Sequence, residues 1–424
     1  MIPYERERSL DDADRILREC IARRGWCVDT DRLGEGLVTA KCFLLDADGQ
    51  VLSFGGGKGE ADAAYTGALY EAVEHYYCKA SALPQRWDYP SARAIAEDPR
   101  YAALPFLSCF AEQAERRLAC RDYIAYSGDE TLPVPLFLTF PDYPGGARAA
   151  DPRDEFDYAS AMRFGSNSGT AIGASFEEAA LHGIGEILER DAWSLFLIAH
   201  YLGGERAYGR WIEPSSLPDD LARIHRIAER RIGGPIRLID MTTDLAYPAF
   251  IAVAEQRLED EVVFSHGCGA SPYPRHAALR ALSELVQCVD IKQDTEHLAG
   301  LDRLALELLA GYPRLRDCAM GEIDPRRLHR GPWDYAEPER MTPQRLLPAV
   351  VAGLRERGLD LYYAVNHREG DDFCVVSSLS PELERFFLVS TGVVMAPGRR
   401  GSEFLRKHRA AAARTDEPEL RVEA

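Results

Sequence analysis

In residues 10–26, LDDADRILRECIARRGW, the apolar side chains Ala13, Ile16, Leu17, Cys20 and Ile21 recur at helical spacing. Asp11 and Asp12 sit near the positive end of that helix, so the chain opens on an amphipathic helix. Two apolar runs, LVTAKCFLLD and QVLSF, flank Asp46-Ala47-Asp48-Gly49. An Asp-Gly pair supplies the positive φ of a tight turn, and the segment is expected to be a β-hairpin. Next come a Gly-rich loop, Gly55–Gly59, and a helix over about 60–79. Residues 81–160 alternate Pro-containing loops with short segments, of which only LPVPLFLTF (132–140) reads clearly as a strand.

The pattern then repeats. A loop of small residues, Gly165 to Ser175, leads into a helix from about Phe176 to His200. After strand candidates IRLID, AFIAVAEQ and EVVFSHG, a third such loop, Gly267–Ser271, leads into a helix from about Arg275 to Asp290. Residues 312–341 are rich in Pro, Arg and Asp, as suits a surface connection or lobe boundary. A helix over 343–357 and three β-rich runs, LDLYYAVN, FCVVSS and FFLVSTGVVMA, close the fold. The final stretch, RAAAARTDEPELRVEA, reads as a disordered polar tail, assigned to 411–424. The rest, 1–410, is expected to be one α/β domain with sub-lobes near 1–150, 151–312 and 341–400.

Composition narrows the function classes. The chain has 424 residues, 46% hydrophobic and 28% charged, and 50 Lys+Arg against 68 Asp+Glu leave a net charge of −18. Such acidity without a basic run argues against nucleic-acid binding. The charged N-terminus lacks the apolar core of a signal peptide, and no run approaches a membrane span, so a cytoplasmic protein is expected. Ten cysteines without one CxxC pair predict reduced, packed thiols rather than a zinc cage or a disulfide framework.

The three repeated helices carry the candidate chemistry. AAYTGALYEAVEHYY, EEAALHGIGEILERD and RHAALRALSELVQC share a carboxylate and a polar residue three positions on: Glu71/Glu74, Glu186/Glu189 and Glu284/Gln287. Such pairs share a helix face, and their Ala, Leu and Ile neighbours place some of them in at least partly buried surroundings. Steps of four add Glu178 and His182 to the second stripe and Arg280 to the third. Converging carboxylates require cations, and oxygen ligands suit a hard ion such as Mg2+, which commonly arrives with phosphates. Arg190 and Arg280 are candidates to meet those phosphates. Gly55–Gly59 does not fit a Walker loop, since position 59 is Gly and position 52 is Leu, although Lys58 remains a candidate phosphate neighbour. Neither GxSxG nor HExxH occurs, and His182, His266 and His276 read as surface or packing residues.

Residues 55–76, 166–193 and 267–287, the three loop-plus-helix segments, together resemble the YcaO family, the EAA…E..ERDA stretch most specifically. The resemblance extends less clearly to Pro397-Gly398. It implies a YcaO-type fold in which Gly-rich loop plus acidic helix units surround an ATP and Mg2+ site. It implies O-phosphorylation of peptide backbone amides, with cyclodehydration of Cys, Ser or Thr to azolines ahead of thioamide formation with a TfuA-like partner; a non-catalytic scaffold is the remaining alternative. It assigns Arg6, Glu71, Glu178, Arg190, Arg280, Glu284 and Gln287 to ATP, and Glu71, Glu74, Glu186 and Glu189 to the metal, and leaves the general base unnamed. The implied partners are a ribosomally made precursor peptide, a leader-binding activating-enzyme-like (ThiF-like) or TfuA-like protein, a flavin dehydrogenase, and a second copy in a homodimer. A leader-binding partner is expected because no segment reads as a capture domain. The chain departs from the family at Gly67, where Ser is frequent, and at Ala171 and Ala174, in place of Ser and Asn; Ser166, Asn167 and Ser168 lie near enough in sequence to compensate. It also lacks the Pro-x-Pro-x-Pro ending of many azoline-forming members.

Overall fold

The structure is a computed structural model that describes residues 2–84, 86–146, 151–204, 208–258, 261–294 and 296–415. Helix α1 (Leu10–Arg23) begins at a Ser9 cap and stops before Gly25, whose φ is +69°. The hairpin follows as expected but gains an outer strand, giving a sheet in the order β1 (Cys27–Leu33), β2 (Val38–Leu45), β3 (Val51–Gly59). Helix α2 (Ala61–Tyr77) lies on it, and short helices α3 (Ala92–Ala96) and α4 (Leu107–Ala111) follow.

Strands β4 (Cys120–Ala125) and β5 (Thr131–Pro135), the one-turn helix α5 (Leu136–Thr139), β6 (Thr170–Gly173) and the long α6 (Phe176–Leu197) come next. Then come β7 (Arg210–Ile212), α7 (Asp219–Ile232), β8 (Ile236–Asp240), β9 (Ala249–Leu258), β10 (Glu261–Ala270) and α8 (Pro274–Asp294). The chain continues through α9 (Glu296–Leu308), α10 (Pro313–Met320), β11 (His329–Gly331), α11 (Pro343–Arg355), β12 (Tyr362–Glu369), β13 (Phe373–Leu379) and α12 (Arg399–Thr415). A second sheet has the order β10-β9-β8-β7-β11, and a third the order β5-β4-β12-β13-β6.

Three helices alternate with the three sheets. Helix α2 packs between the first sheet and β6 of the third, α6 between β6/β13 of the third and β9/β10 of the second, and α8 between β9/β10 and β2/β3. The ring closes on itself, so each acidic helix has a sheet on either side.

This packing corrects the reading of the Gly-rich segments as loops. Gly55–Gly59 lies inside β3, paired with β2 from Gly59↔Val38 to Gly55↔Cys42. A Cβ on Gly55 would sit 2.2 Å from the Ala72 nitrogen and one on Gly57 1.7 Å from the Ala64 oxygen, both on α2. Gly56, on the alternate face, looks at Gln287 of α8. The same construction recurs in β10, where a Cβ on Gly267 would lie 2.1 Å from Leu285 N and one on Gly269 2.1 Å from Ala277 O, both on α8, and in β6, where a Cβ on Gly173 would lie 2.4 Å from Ala179 N. The glycines let helix backbone rest directly on strand backbone.

Other expectations also shift. LPVPLFLTF is a strand only to Pro135 and then turns into α5. FFLVSTGVVMA is not a strand: Phe386–Thr391 coil into a 3-10 helix, because the Phe387 N–H is taken by Ser194 Oγ on α6 at 2.9 Å. The 312–341 region contains α10 and contributes β11, which pairs parallel with β7. Helix α12 runs to Thr415, five residues into the expected tail, and 416–424 lie outside the described residues. All ten cysteines are free thiols, and eight of them are buried. Among the described residues no helix is long and apolar enough to cross a membrane.

Candidate nucleotide and metal site

The acidic stripes of α2, α6 and α8 turn into the ring. Glu178 stands in the first turn of α6, where Ser175 caps the helix by accepting the Glu178 N–H at 3.1 Å. It is 4% exposed, and it accepts Arg6 Nη1 at 3.1 Å and the Glu7 N–H at 3.0 Å. Two expected ATP residues, 172 positions apart, are thereby brought together. The N-terminal segment that carries Arg6 is tied down along its length. Ser271 Oγ donates to Glu5 Oε1 at 2.7 Å, Ser175 Oγ and Gln344 Nε2 donate to Glu7, and Tyr4 packs on Tyr273 and His276.

On α2, Glu74 accepts the Ile172 N–H of β6 at 2.8 Å, and Glu71 has His75 Nε2 at 3.8 Å. The Glu71 side chain is 40% exposed, yet burial is the largest influence raising its pKa. Burial likewise pushes Glu74 well above the usual carboxylate range, and the nearby Glu71 and Glu186 charges push it further. Glu189, 2% exposed, is raised by burial against the pull of Arg190.

Glu284 behaves oppositely. Burial alone would raise it, but its ion pair with Lys58 and the fields of Arg190 and Arg280 hold it down at about 2. Its other oxygen accepts the Cys268 N–H at 3.3 Å. Lys58 at the end of β3 is therefore part of the cluster, although the Walker pattern that would have singled it out is absent. Arg190 bridges Glu189 at 3.1 Å and Glu186 at 3.9 Å. Gln287 faces the Gly56 backbone.

Arg280 Nε and His182 Nδ1 are buried without a hydrogen-bond partner. Burial and then the charges of Arg280, Arg6, Lys58 and His276 drive the His182 imidazole well below its usual range, so it is neutral. His182 lies between Glu178 and Glu186 on the same i,i+4 row of α6.

All the sequence-designated residues thus lie on the three ring helices or on segments packed against them. Among the described residues no three acidic, His or Cys side chains close around one point. Like charges without a cation between them stand apart and take up protons. The donor set is oxygen-only, Glu71, Glu74 and Glu189 are pushed toward protonation, and a buried guanidinium nitrogen lacks an acceptor. Such a set fits a hard divalent ion accompanied by an anionic phosphate ligand. Glu71, Glu74, Glu186 and Glu189 are the residues that would hold the ion. Arg6, Arg190, Arg280 and Lys58 supply the positive side.

The departures from the family pattern are accommodated unequally. A Cβ on Gly67 would meet only the Gly57 Cα at 3.6 Å, so a serine there has room. Ser166 and Ser168 bond each other at 2.9 Å, and Asn167 bonds the Cys78 thiol.

Known proteins share the fold. A Rhizobium leguminosarum bv. trifolii protein, described as an uncharacterized protein in the tfuA 3' region, is 32% identical over 257 residues, which is 58% of this chain and 57% of that protein. Among solved structures, a heterocyclase in complex with substrate and cofactor matches with a TM-score of 0.65 at 18% identity, over 90% of this chain and 54% of that one. The chain thus spans little more than half the length of either. The YcaO protein of Methanopyrus kandleri, solved with AMPPCP and Mg2+, matches with a TM-score of 0.64 at 20% identity, over 94% of this chain and 98% of that one. The family model described as YcaO cyclodehydratase, ATP- and Mg2+-binding, matches residues 56–384, most of the sequence, and the chain belongs to the YcaO family.

Proposed function

We propose that the chain uses ATP and Mg2+ to activate a backbone amide of a ribosomally made precursor peptide. The observation that carries this reading is the ring cluster itself: buried carboxylates on three helices, opposed by Arg6, Lys58, Arg190 and Arg280. Bound Mg2+ would neutralise charge on the transferred phosphoryl group, which makes the amide oxygen a leaving group. The chain's residues orient and exclude. Glu186 and Glu189 hold Arg190 from one side, Lys58 fixes Glu284, and Arg6 brings the N-terminal segment over α6. The Arg280 Nε is left free to donate to a phosphate oxygen. Phosphate then departs with the amide oxygen as a nucleophile takes its place.

For the nucleophile, external sulfide is supported by the tfuA-region relative; the product is a thioamide, and the partner a TfuA-like protein. The family description and the heterocyclase-like fold support the second reading, attack by a Cys, Ser or Thr side chain to give an azoline. Intact-mass analysis of a precursor co-expressed with this chain and a TfuA-like partner separates them, since one exchanges oxygen for sulfur and the other loses one water per site. For the activation step, Glu186→Gln and Glu189→Gln are each expected to fold and to lose Mg2+-dependent phosphate release. Wild-type turnover in both would refute the reading.

A further inference from the structure

Residue Asp191 follows Arg190 directly, and on a helix it points about 100° away from it. It is completely buried, on the side of α6 remote from the acidic cluster. There Arg400, in the first turn of α12, clasps it with two parallel bonds: Nε to Oδ1 at 2.7 Å and Nη2 to Oδ2 at 2.8 Å. The same guanidinium reaches Asp244 at 2.7 Å. Asp191 also accepts the Glu384 N–H at 2.9 Å, and the Glu384 carboxylate in turn accepts the Gly401 N–H at 2.8 Å. The segment so anchored continues to Phe387, whose N–H donates to Ser194 Oγ. Its ring, stacked near Trp193 with centroids 6.0 Å apart, faces the Arg190 guanidinium at 5.8 Å, while Trp193 faces it at 5.6 Å.

We infer that Arg400 is a positioning residue for the nucleotide site: through Asp191 and the 384–387 segment it sets the aromatic wall that aims Arg190. The inference rests on the proposed role of Arg190 at the nucleotide. Carboxylates alone leave a guanidinium several poses, because Glu186 and Glu189 both attract it. Two aromatic faces within 6 Å of it narrow that choice, since a guanidinium stacks flat on aromatic rings. The Phe387 face of the wall comes from a segment almost two hundred residues away that is tied to α6 at Ser194 and Asp191, and the Arg400 clasp is what fixes the Asp191 end of that attachment. A bidentate pair fixes rotation as well as distance, which a lysine cannot do.

The test measures binding of a non-hydrolysable ATP analogue with Mg2+ by calorimetry in a double-mutant cycle. Arg400→Ala is expected to weaken binding about tenfold and Arg400→Lys by an intermediate factor. In an Arg190→Ala background, Arg400→Ala is expected to add less than about twofold, because its effect passes through Arg190. Because Asp191 is left buried and unpaired in Arg400→Ala, Phe387→Leu provides a variant that keeps the core apolar. It too is expected to weaken binding in the wild-type background and to add little beside Arg190→Ala. Losses that add in full, or unchanged affinity in Phe387→Leu, overturn the clasp. A wild-type chain that binds no nucleotide overturns the proposed site together with the clasp.

Discussion

Replacing Gly57 by alanine puts one methyl group where the backbone of α2 already is. The new Cβ would lie 1.7 Å from the Ala64 oxygen and 2.6 Å from the Ala68 nitrogen, both main-chain atoms that no rotamer change can move. An ordinary carbon–oxygen contact is about 3.3 Å, so the helix has to back away from β3 by roughly 1.5 Å. Overpacking of this kind costs about 1–3 kcal/mol, which in a chain this long lowers Tm by about 1–3 °C. The larger effect falls on function. Glu71 and Glu74 ride on the displaced helix, and a misplacement of about 1 Å reduces a positioned reaction by roughly a hundredfold. The matched control is Gly67→Ser on α2 at the same crossing, where the nearest atom is 3.6 Å away and the helix gains a few tenths of a kcal/mol in propensity. Calorimetric melting and Mg2+-dependent phosphate release are to be measured on both. If Gly57→Ala melts with the wild type and turns over ATP at the wild-type rate, the backbone-on-backbone account of the ring is wrong.

Lys58→Met is expected to destabilise the fold at pH 7 by about 2 kcal/mol, since it leaves a mostly buried carboxylate without its nearest cation. The pH dependence has a definite sign. Glu284 is held at about 2, below its ordinary 4.5, so its contribution is present above that ordinary value and is lost as pH falls toward 2. Denaturant midpoints should therefore drop over that window in the wild type and less steeply in Lys58→Met; parallel profiles would remove Glu284 from the linkage. Deleting residues 416–424 is expected to leave ATP turnover within about threefold, a barrier change below ~0.7 kcal/mol. The described contacts of α12 come from earlier residues, Arg400, Gly401 and Arg409. A hundredfold loss at unchanged Tm would contradict this.

The helices of the ring were readable because small and apolar residues recur at helical spacing over long stretches, and the acidic stripes were readable for the same reason. What lies between them was not. A Gly-rich segment signals freedom of the backbone, but the sequence does not say whether that freedom serves a turn or a close approach; Gly55 and Gly57 serve the approach. FFLVSTGVVMA has the β-branched composition of a strand, and only the Ser194 hydroxyl on a distant helix explains why it coils. The cap at Ser175 was legible in principle, since Ser-x-x-Glu before a helical run is a capping signature. The contacts of Glu5, Glu7 and Lys58 carry no local signal, because each partner lies well over a hundred residues away.

The N-terminal segment has a consequence for synthesis of the chain. Residues 5–8 emerge from the ribosome long before their partners: Glu178 is 172 positions behind Arg6, and Asp372 is 364 behind Arg8. Long-range closures of this kind slow folding and leave apolar and charged groups exposed in the interval. Nascent chains that stop short of β13 therefore lack the anchors at Asp371 and Asp372 that hold the segment down. The N-terminal arm is therefore fully anchored only after the chain has been made past Asp372.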